Sequence, residues 1–269
     1  MVFFDKILTD EFRTIESIAY LDPNPLGKKP ILLLHGLGID ATSWGYQIPV
    51  MVQRGLRPIA IDIPGFGRSK FNQKIWSIRN AARNIQIFCE SLQINHLVAV
   101  GISMGGTIAL RMAIDYPELL DRLVLVNTFA CLRKNNAQNA GYLLRRFLRG
   151  VMVGPQAQAK LVAKRIFPGS DQAELRSLLV DQIQHMDSRI YRQAMFSLGL
   201  FDVRKQLSKI DIPTLIITGE IDSTVSPVLQ KVLTSSIPHA VQIIIPKAGH
   251  AVTIDQPDQF NKVLIDFLG

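Results

Sequence analysis

Six short runs of this chain are nearly unbroken stretches of apolar and β-branched residues: 30–36, 57–63, 96–101, 122–127, 213–220 and 241–246. Strands with one wet face alternate apolar and polar residues; runs like these fit strands buried on both faces of a parallel sheet. Helical patterns fill the gaps. Ile78, Ala82, Ile85, Cys89 and Leu92 share one face of a helix over 78–92, and a second helix over Met104–Asp115 is closed by Tyr116-Pro117. A last helix over Pro257–Leu268 carries Phe260, Val263, Leu264, Phe267 and Leu268 on one side. This alternation predicts an α/β fold, with a mostly parallel central sheet and helices on both faces. The stretch "FRTIESIAYL" is expected to add antiparallel strands at one edge.

One interval breaks the pattern. From Thr128 to Ile212 run 85 residues, where a crossover needs only about a dozen. Its period is helical (Leu143/Leu144, Phe147/Leu148, Val151/Met152), so it reads as a helical cap inserted after the sixth strand. The chain then divides into a core of residues 1–129 and 208–269 and a cap of residues 130–207. At 269 residues and 48% hydrophobic content the core is large enough to fold as one domain.

The cap also holds the charge excess. Between 132 and 170 stand Arg133, Lys134, Arg145, Arg146, Arg149, Lys160, Lys164 and Arg165 with no acid, matching the whole formal charge of +8. No recognition motif or aromatic interleaving supports nucleic-acid binding. The basic face instead suits something acidic, such as an anionic surface. No apolar run approaches the roughly 20 residues that cross a bilayer, and the charged first eleven residues do not form a signal-peptide core. Cys89 and Cys131 make no disulfide framework and have no metal-ligand spacing, with Cys89 expected in the core. These features point to a soluble cytoplasmic protein.

The chemistry gathers at Gly101-Ile102-Ser103-Met104-Gly105-Gly106, a G-x-S-x-G pattern between the third apolar run and a helical one. Glycines on both sides of a sharp turn let strand and helix approach closely, and the apex residue projects from the end of the sheet. A serine there is a nucleophile only if an imidazole takes its proton and an acid orients that imidazole. His250 follows the last strand in a small-residue loop, at the catalytic end. His96 and His239 precede strands, at the opposite end; His185 falls in the cap, and His35 reads as loop packing. Asp222, just past the fifth run, is the acid, with Glu220 two residues earlier expected to be solvated. The strand ending at Asn127 offers no rival carboxylate. For the oxyanion, one donor is expected to be the N–H of Met104. The loop after the first core strand should supply a second, assigned to Leu37.

These motifs carry a resemblance. "HGLGIDATSW", "DIPGFGRS", "GISMGG", "PTLIITGEID" and "AGH" together resemble the α/β-hydrolase superfamily over essentially the whole chain. Within it, the set is similar to small carboxylesterases, including pimeloyl-acyl-carrier-protein methyl ester esterases, and to carbon–carbon bond hydrolases of ring cleavage. A serine at 103 departs from the aspartate of epoxide hydrolases and haloalkane dehalogenases. The resemblance implies a hydrolase of a small-molecule carboxylic ester, needing no metal or organic cofactor. The alternatives are a carbon–carbon bond hydrolase, or a hydrolase-fold ligand receptor with slow turnover. The likeness to carrier-protein esterases implies an acidic carrier protein as partner of the basic face.

Overall fold

A computed structural model of the chain describes residues 12–132, 156 and 158–269. Its centre is an eight-stranded sheet in the order β1-β2-β4-β3-β5-β6-β7-β8. The strands are β1 (Arg13–Ile15), β2 (Ile18–Leu21), β3 (Lys28–Leu34), β4 (Leu56–Ile61), β5 (Leu97–Ile102), β6 (Leu120–Val126), β7 (Thr214–Gly219) and β8 (Ala240–Ile245). β1 and β2 join antiparallel at one edge; every pairing from β4 to β8 is parallel.

Side-chain alternation divides the core into two layers. Leu32, Leu34, Ile59, Ile61, Leu123 and Leu125 join the cluster on one face; Ile31, Leu33, Ala60, Val124 and Val126 join the other. The first face is covered by α2 (Ile78–Ser91) and α3 (Met104–Asp115). The second is covered by α1 (Ile48–Gln53) and the final helix, Pro257–Leu268, which buries Phe260, Leu264 and Leu268. Ser77 caps α2 by accepting from Asn80 N at 3.1 Å, and Cys89 is buried on its inner face.

The last strand corrects one expectation. β8 lies at the sheet edge, and Val241, Ile243 and Ile244 are 60%, 37% and 55% exposed, not buried on both faces. An apolar run looks the same in a central and an edge strand, and position in the sheet is a property of the whole fold.

Between β6 and β7 the described chain is helical: α4 (Ala159–Ile166), α5 (Ala173–Gln184) and α6 (Ser188–Leu200). At its neck, Cys131 and Asp202 form an isolated antiparallel bridge. These helices have a small core of their own, built on Ala159, Val162, Ala163, Phe167, Leu179 and Ile183. It rests on Ile39, Ala251 and Ile254 of the sheet-end loops. α6 is tied to the start of α2, whose Ile78 N donates to Ser197 Oγ at 3.0 Å, while Trp76 N donates to Gln193 Oε1 at 2.7 Å. Of the expected basic face, Arg133, Lys134, Arg145, Arg146 and Arg149 lie outside the described residues. Lys160 and Lys164 are exposed, and Arg165 donates to the carbonyl of Ser223. No described helix is long and apolar enough to cross a membrane.

Candidate active site

Ser103 stands between the end of β5 and the first residue of α3 with φ 54° and ψ −113°, a conformation that L-residues avoid. Several bonds hold it there. Its N–H donates to Val126 O at 2.9 Å, and its carbonyl accepts from Thr128 Oγ1 at 2.7 Å and Thr107 N at 3.2 Å. The flanking glycines have a steric reason: a Cβ on Gly105 would collide with Leu34 O, and one on Gly106 would stand 2.6 Å from Thr128 Cβ. Serine is a favoured helix cap, accepting from the first-turn N–H groups. Ser103 makes no such bond, so its hydroxyl is not spent on the helix.

Asp222 and His250 meet on the loops after β7 and β8. Asp222 Oδ2 lies 2.9 Å from His250 Nδ1, while its Oδ1 accepts from Thr224 N at 2.7 Å and Val225 N at 2.9 Å. The carboxylate is completely buried and the imidazole side chain is 9% exposed. An ionised carboxylate can only accept, so Nδ1 carries the proton and Nε2 keeps its lone pair. Glu220, the rival acid, is exposed and accepts from Lys247 N at 2.9 Å.

Two residues that the sequence reading passed over hold this loop in place. Asn127, at φ 44° past the end of β6, is completely buried. Its Nδ2 donates to His250 O at 2.8 Å and Gly249 O at 3.0 Å, and its Oδ1 accepts from Gly219 N at 2.8 Å and Gln230 Nε2 at 3.3 Å. Asp255 accepts from Gly249 N at 3.0 Å and from Gln172 Nε2, in the segment between β6 and β7, at 3.2 Å. Burial pushes its carboxyl up to about 6, against the lowering effect of these donors. The only sequence signal for Asn127 was a short polar residue tolerant of left-handed backbone at a strand end.

The loop after β3 runs beside the serine. A Cβ on Gly36 would lie 3.8 Å from Ser103 Cβ, and Leu37, half-buried, is the next residue. His35 braces this loop: Nε2 accepts from Ile63 N at 2.9 Å and Nδ1 donates to Gly36 O at 2.7 Å. Burial lowers its pKa, which keeps the ring neutral for both bonds. Asp62 ties the same region from below, accepting from Ala41 N at 2.8 Å and Arg68 N at 2.7 Å. Burial and the nearby Asp40 raise its carboxyl pKa. Met104 is fully buried at the N-terminus of α3.

The remaining histidines lie elsewhere. His96 and His239 are exposed beside Asp121 and Asp211, at the opposite end of the sheet. His185 lines a cleft of about 680 Å³ between the loop after β4 and the α5–α6 turn, with Asp40, Arg68, Phe71, Asp181 and Arg189. No group of three or more His, Cys, Asp or Glu among the described residues could hold a metal ion.

A family model described as the alpha/beta hydrolase fold matches residues 29–257. The chain is 28% identical over 250 residues to RutD, a carbamate hydrolase candidate of Variovorax paradoxus (strain S110), covering 91% of this chain and 93% of that one. It is 26% identical to a 2-hydroxy-6-oxononadienedioate/2-hydroxy-6-oxononatrienedioate hydrolase of a Pseudomonas species, over 90% of this chain and 88% of the other. Among solved structures, a thermophilic esterase from Thermogutta terrifontis superimposes with a TM-score of 0.81 at 25% identity, covering 93% of this chain and 92% of that one.

Proposed function

This chain belongs to the α/β-hydrolase fold family, and from that premise we propose that it is a serine hydrolase of carboxylic esters, acting through an acyl-enzyme. Ser103 Oγ attacks the ester carbonyl while His250 Nε2 takes the hydroxyl proton. The imidazolium then hands that proton to the departing alcohol as the carbonyl–oxygen bond breaks. Water attacks the acyl-serine, His250 accepts its proton and returns it to Ser103, and the acid leaves. Asp222 keeps the imidazole in the Nδ1–H form and stabilises its positive charge in between. The N–H groups of Leu37 and Met104 bind the oxyanion, aided by the positive end of α3.

The observation that carries this reading is Ser103 held at φ 54° with its hydroxyl withheld from helix capping, on the sheet end that also bears the buried Asp222–His250 pair. A fluorophosphonate probe tests it directly. Wild-type protein should be labelled at Ser103 and Ser103→Ala should not be; a wild type that resists labelling overturns the proposal.

A second reading, hydrolysis of a carbon–carbon bond, draws its support from the Pseudomonas relative. Turnover of short acyl esters against that of a ring-cleavage product separates the two. We assign residues 1–129 and 208–269 to the hydrolase core and 130–207 to the cap, and place the protein in the cytoplasm, since its two buried cysteines form no disulfide. The proposed acidic carrier or anionic surface has exposed Lys160 and Lys164 as its described contacts.

A further inference from the structure

Four buried side chains among the described residues leave their polar atoms without any hydrogen bond: Trp44, Gln158, Tyr191 and Thr224. Trp44 lies under the far face of the sheet, in the cluster with Ile48 and Phe260. The other three belong to the loop after β7 and to the helical segment between β6 and β7. Thr224 is two residues past Asp222, and Gln158 and Tyr191 come from the cap. Gln158 is completely buried with both amide atoms unpaired; Tyr191 is 1% exposed with an orphan hydroxyl. Each unmet group carries a desolvation penalty, and such penalties persist where something else is there to meet them.

Neighbouring residues tie the segments that carry these two side chains to each other and to the loop beside Ser103. Gln156 Nε2 donates to Gln184 O at 3.1 Å, and its Oε1 accepts from Ser188 Oγ at 3.3 Å. These bonds pin the start of α4 to the α5–α6 turn. Gln158 is two residues beyond Gln156, and Tyr191 is in the first turn of α6. Ile183 links both to the catalytic loop: it packs with Ala159, next to Gln158, and would lie 3.0 Å from a Cβ on Gly38. Tyr191 Cε2 would lie 4.0 Å from that same Cβ, and Gly38 directly follows Leu37.

Resting on the serine-hydrolase reading above, we propose that Gln158 and Tyr191 bind a neutral hydrogen-bonding group, such as an amide, on the non-reacting part of the substrate. The side chains themselves set this class. An amide offers and accepts one bond each with Gln158, and the phenol can do either. An apolar chain would leave all three atoms unmet. A carboxylate would need a buried cation. No described cation of the cap is buried: Lys160, Lys164, Arg189, Arg204 and Lys205 are exposed, and Arg165, Arg176 and Arg192 are only half-buried.

The test compares three p-nitrophenyl esters with one leaving group: butyrate, the succinic half-amide and the succinic half-acid. Wild type should prefer the half-amide to both others by at least several-fold in kcat/KM. Tyr191→Phe and Gln158→Met, which keep shape and remove the polar atoms, should each cut the half-amide to butyrate ratio about tenfold. The change should come mainly through KM. Neither variant should melt below wild type, because each removes an unmet polar group. A ratio unmoved in both variants, or a wild-type preference for the half-acid or butyrate, overturns the proposal. Fluorophosphonate labelling of Ser103 keeps the two readings apart. Labelled enzyme that ignores the amide refutes only this inference, whereas unlabelled enzyme refutes the chemistry beneath it.

Discussion

At the sheet end, the side chains of Asn127, His35, Asp62 and Asp222 each make two or more hydrogen bonds, whereas the side chains of Gln158 and Tyr191, in the segment above, make none. Both sets are buried, so solvent access does not separate them. The lower set is braced in a fixed geometry before any ligand arrives, which is what stabilising a transition state demands. The upper set is unsatisfied in the free protein, which is what selecting a ligand demands. On the proposed reading, chemistry and choice of substrate fall to different layers, and substitutions in the two layers should fail in different ways.

The largest effect should come from Ser103→Ala, a loss of roughly 10⁴–10⁶-fold in kcat with an unchanged circular dichroism spectrum. Cap variants should stay near tenfold; one that matched the serine would collapse the distinction between layers. Asp222→Asn should cost on the order of 10⁴-fold through the wrong imidazole tautomer, with the fold retained. Were Glu220→Gln the more damaging of the two, the orienting acid would be the exposed carboxylate instead.

Asn127 probes the bracing itself. Asn127→Ala leaves the Gly219 N–H and two carbonyls unmet and puts alanine at φ 44°, so urea titration should show a loss of about 3 kcal/mol. Displacement of His250 should lower kcat roughly 10²-fold. Asn127→Asp should not rescue it, because a carboxylate would face the carbonyls of Gly249 and His250. A variant stable but inactive, or unstable but fully active, would show that bracing and catalysis are separable here.

The smallest effect is a pH slope at the seam between layers. Burial pushes the carboxyl of Asp255, which accepts from Gly249 N and Gln172 Nε2, up to about 6 from its ordinary 3.8. A raised pKa means that folding favours the protonated form. Its stabilisation is present below about 4 and is lost as pH rises through about 6. At this partly exposed site that amounts to about 1–2 kcal/mol. Melting temperatures at several pH values should show that slope in wild type and a flatter one in Asp255→Asn. Parallel curves would remove Asp255 from the account.

What the sequence made legible was local. The helices Met104–Asp115 and Pro257–Leu268 announce themselves by period and proline, and the structure keeps those bounds. The meeting of Asp222 with His250 could be anticipated because both follow apolar strands and so reach the same end of a parallel sheet. Strand order could not, which is why β8 looked like an interior strand. Asn127, Asp255 and Tyr191 were silent for a related reason. Asn127 matters through partners 92 to 123 residues away, Asp255 through Gln172 83 residues away, and Tyr191 through a missing partner, and single-chain patterns do not record such meetings.

Ser103 also has a consequence for how such a lineage can drift. Its backbone sits where glycine would be at ease and serine is strained, at an expense of order 1–2 kcal/mol. Under the proposed mechanism, a single change of Ser103 to glycine ends the reaction and leaves a sturdier molecule. Descendants released from selection for turnover therefore have a downhill route to an inert scaffold that still folds and still presents its pocket. Selection for catalysis must oppose that slope at this codon in every generation.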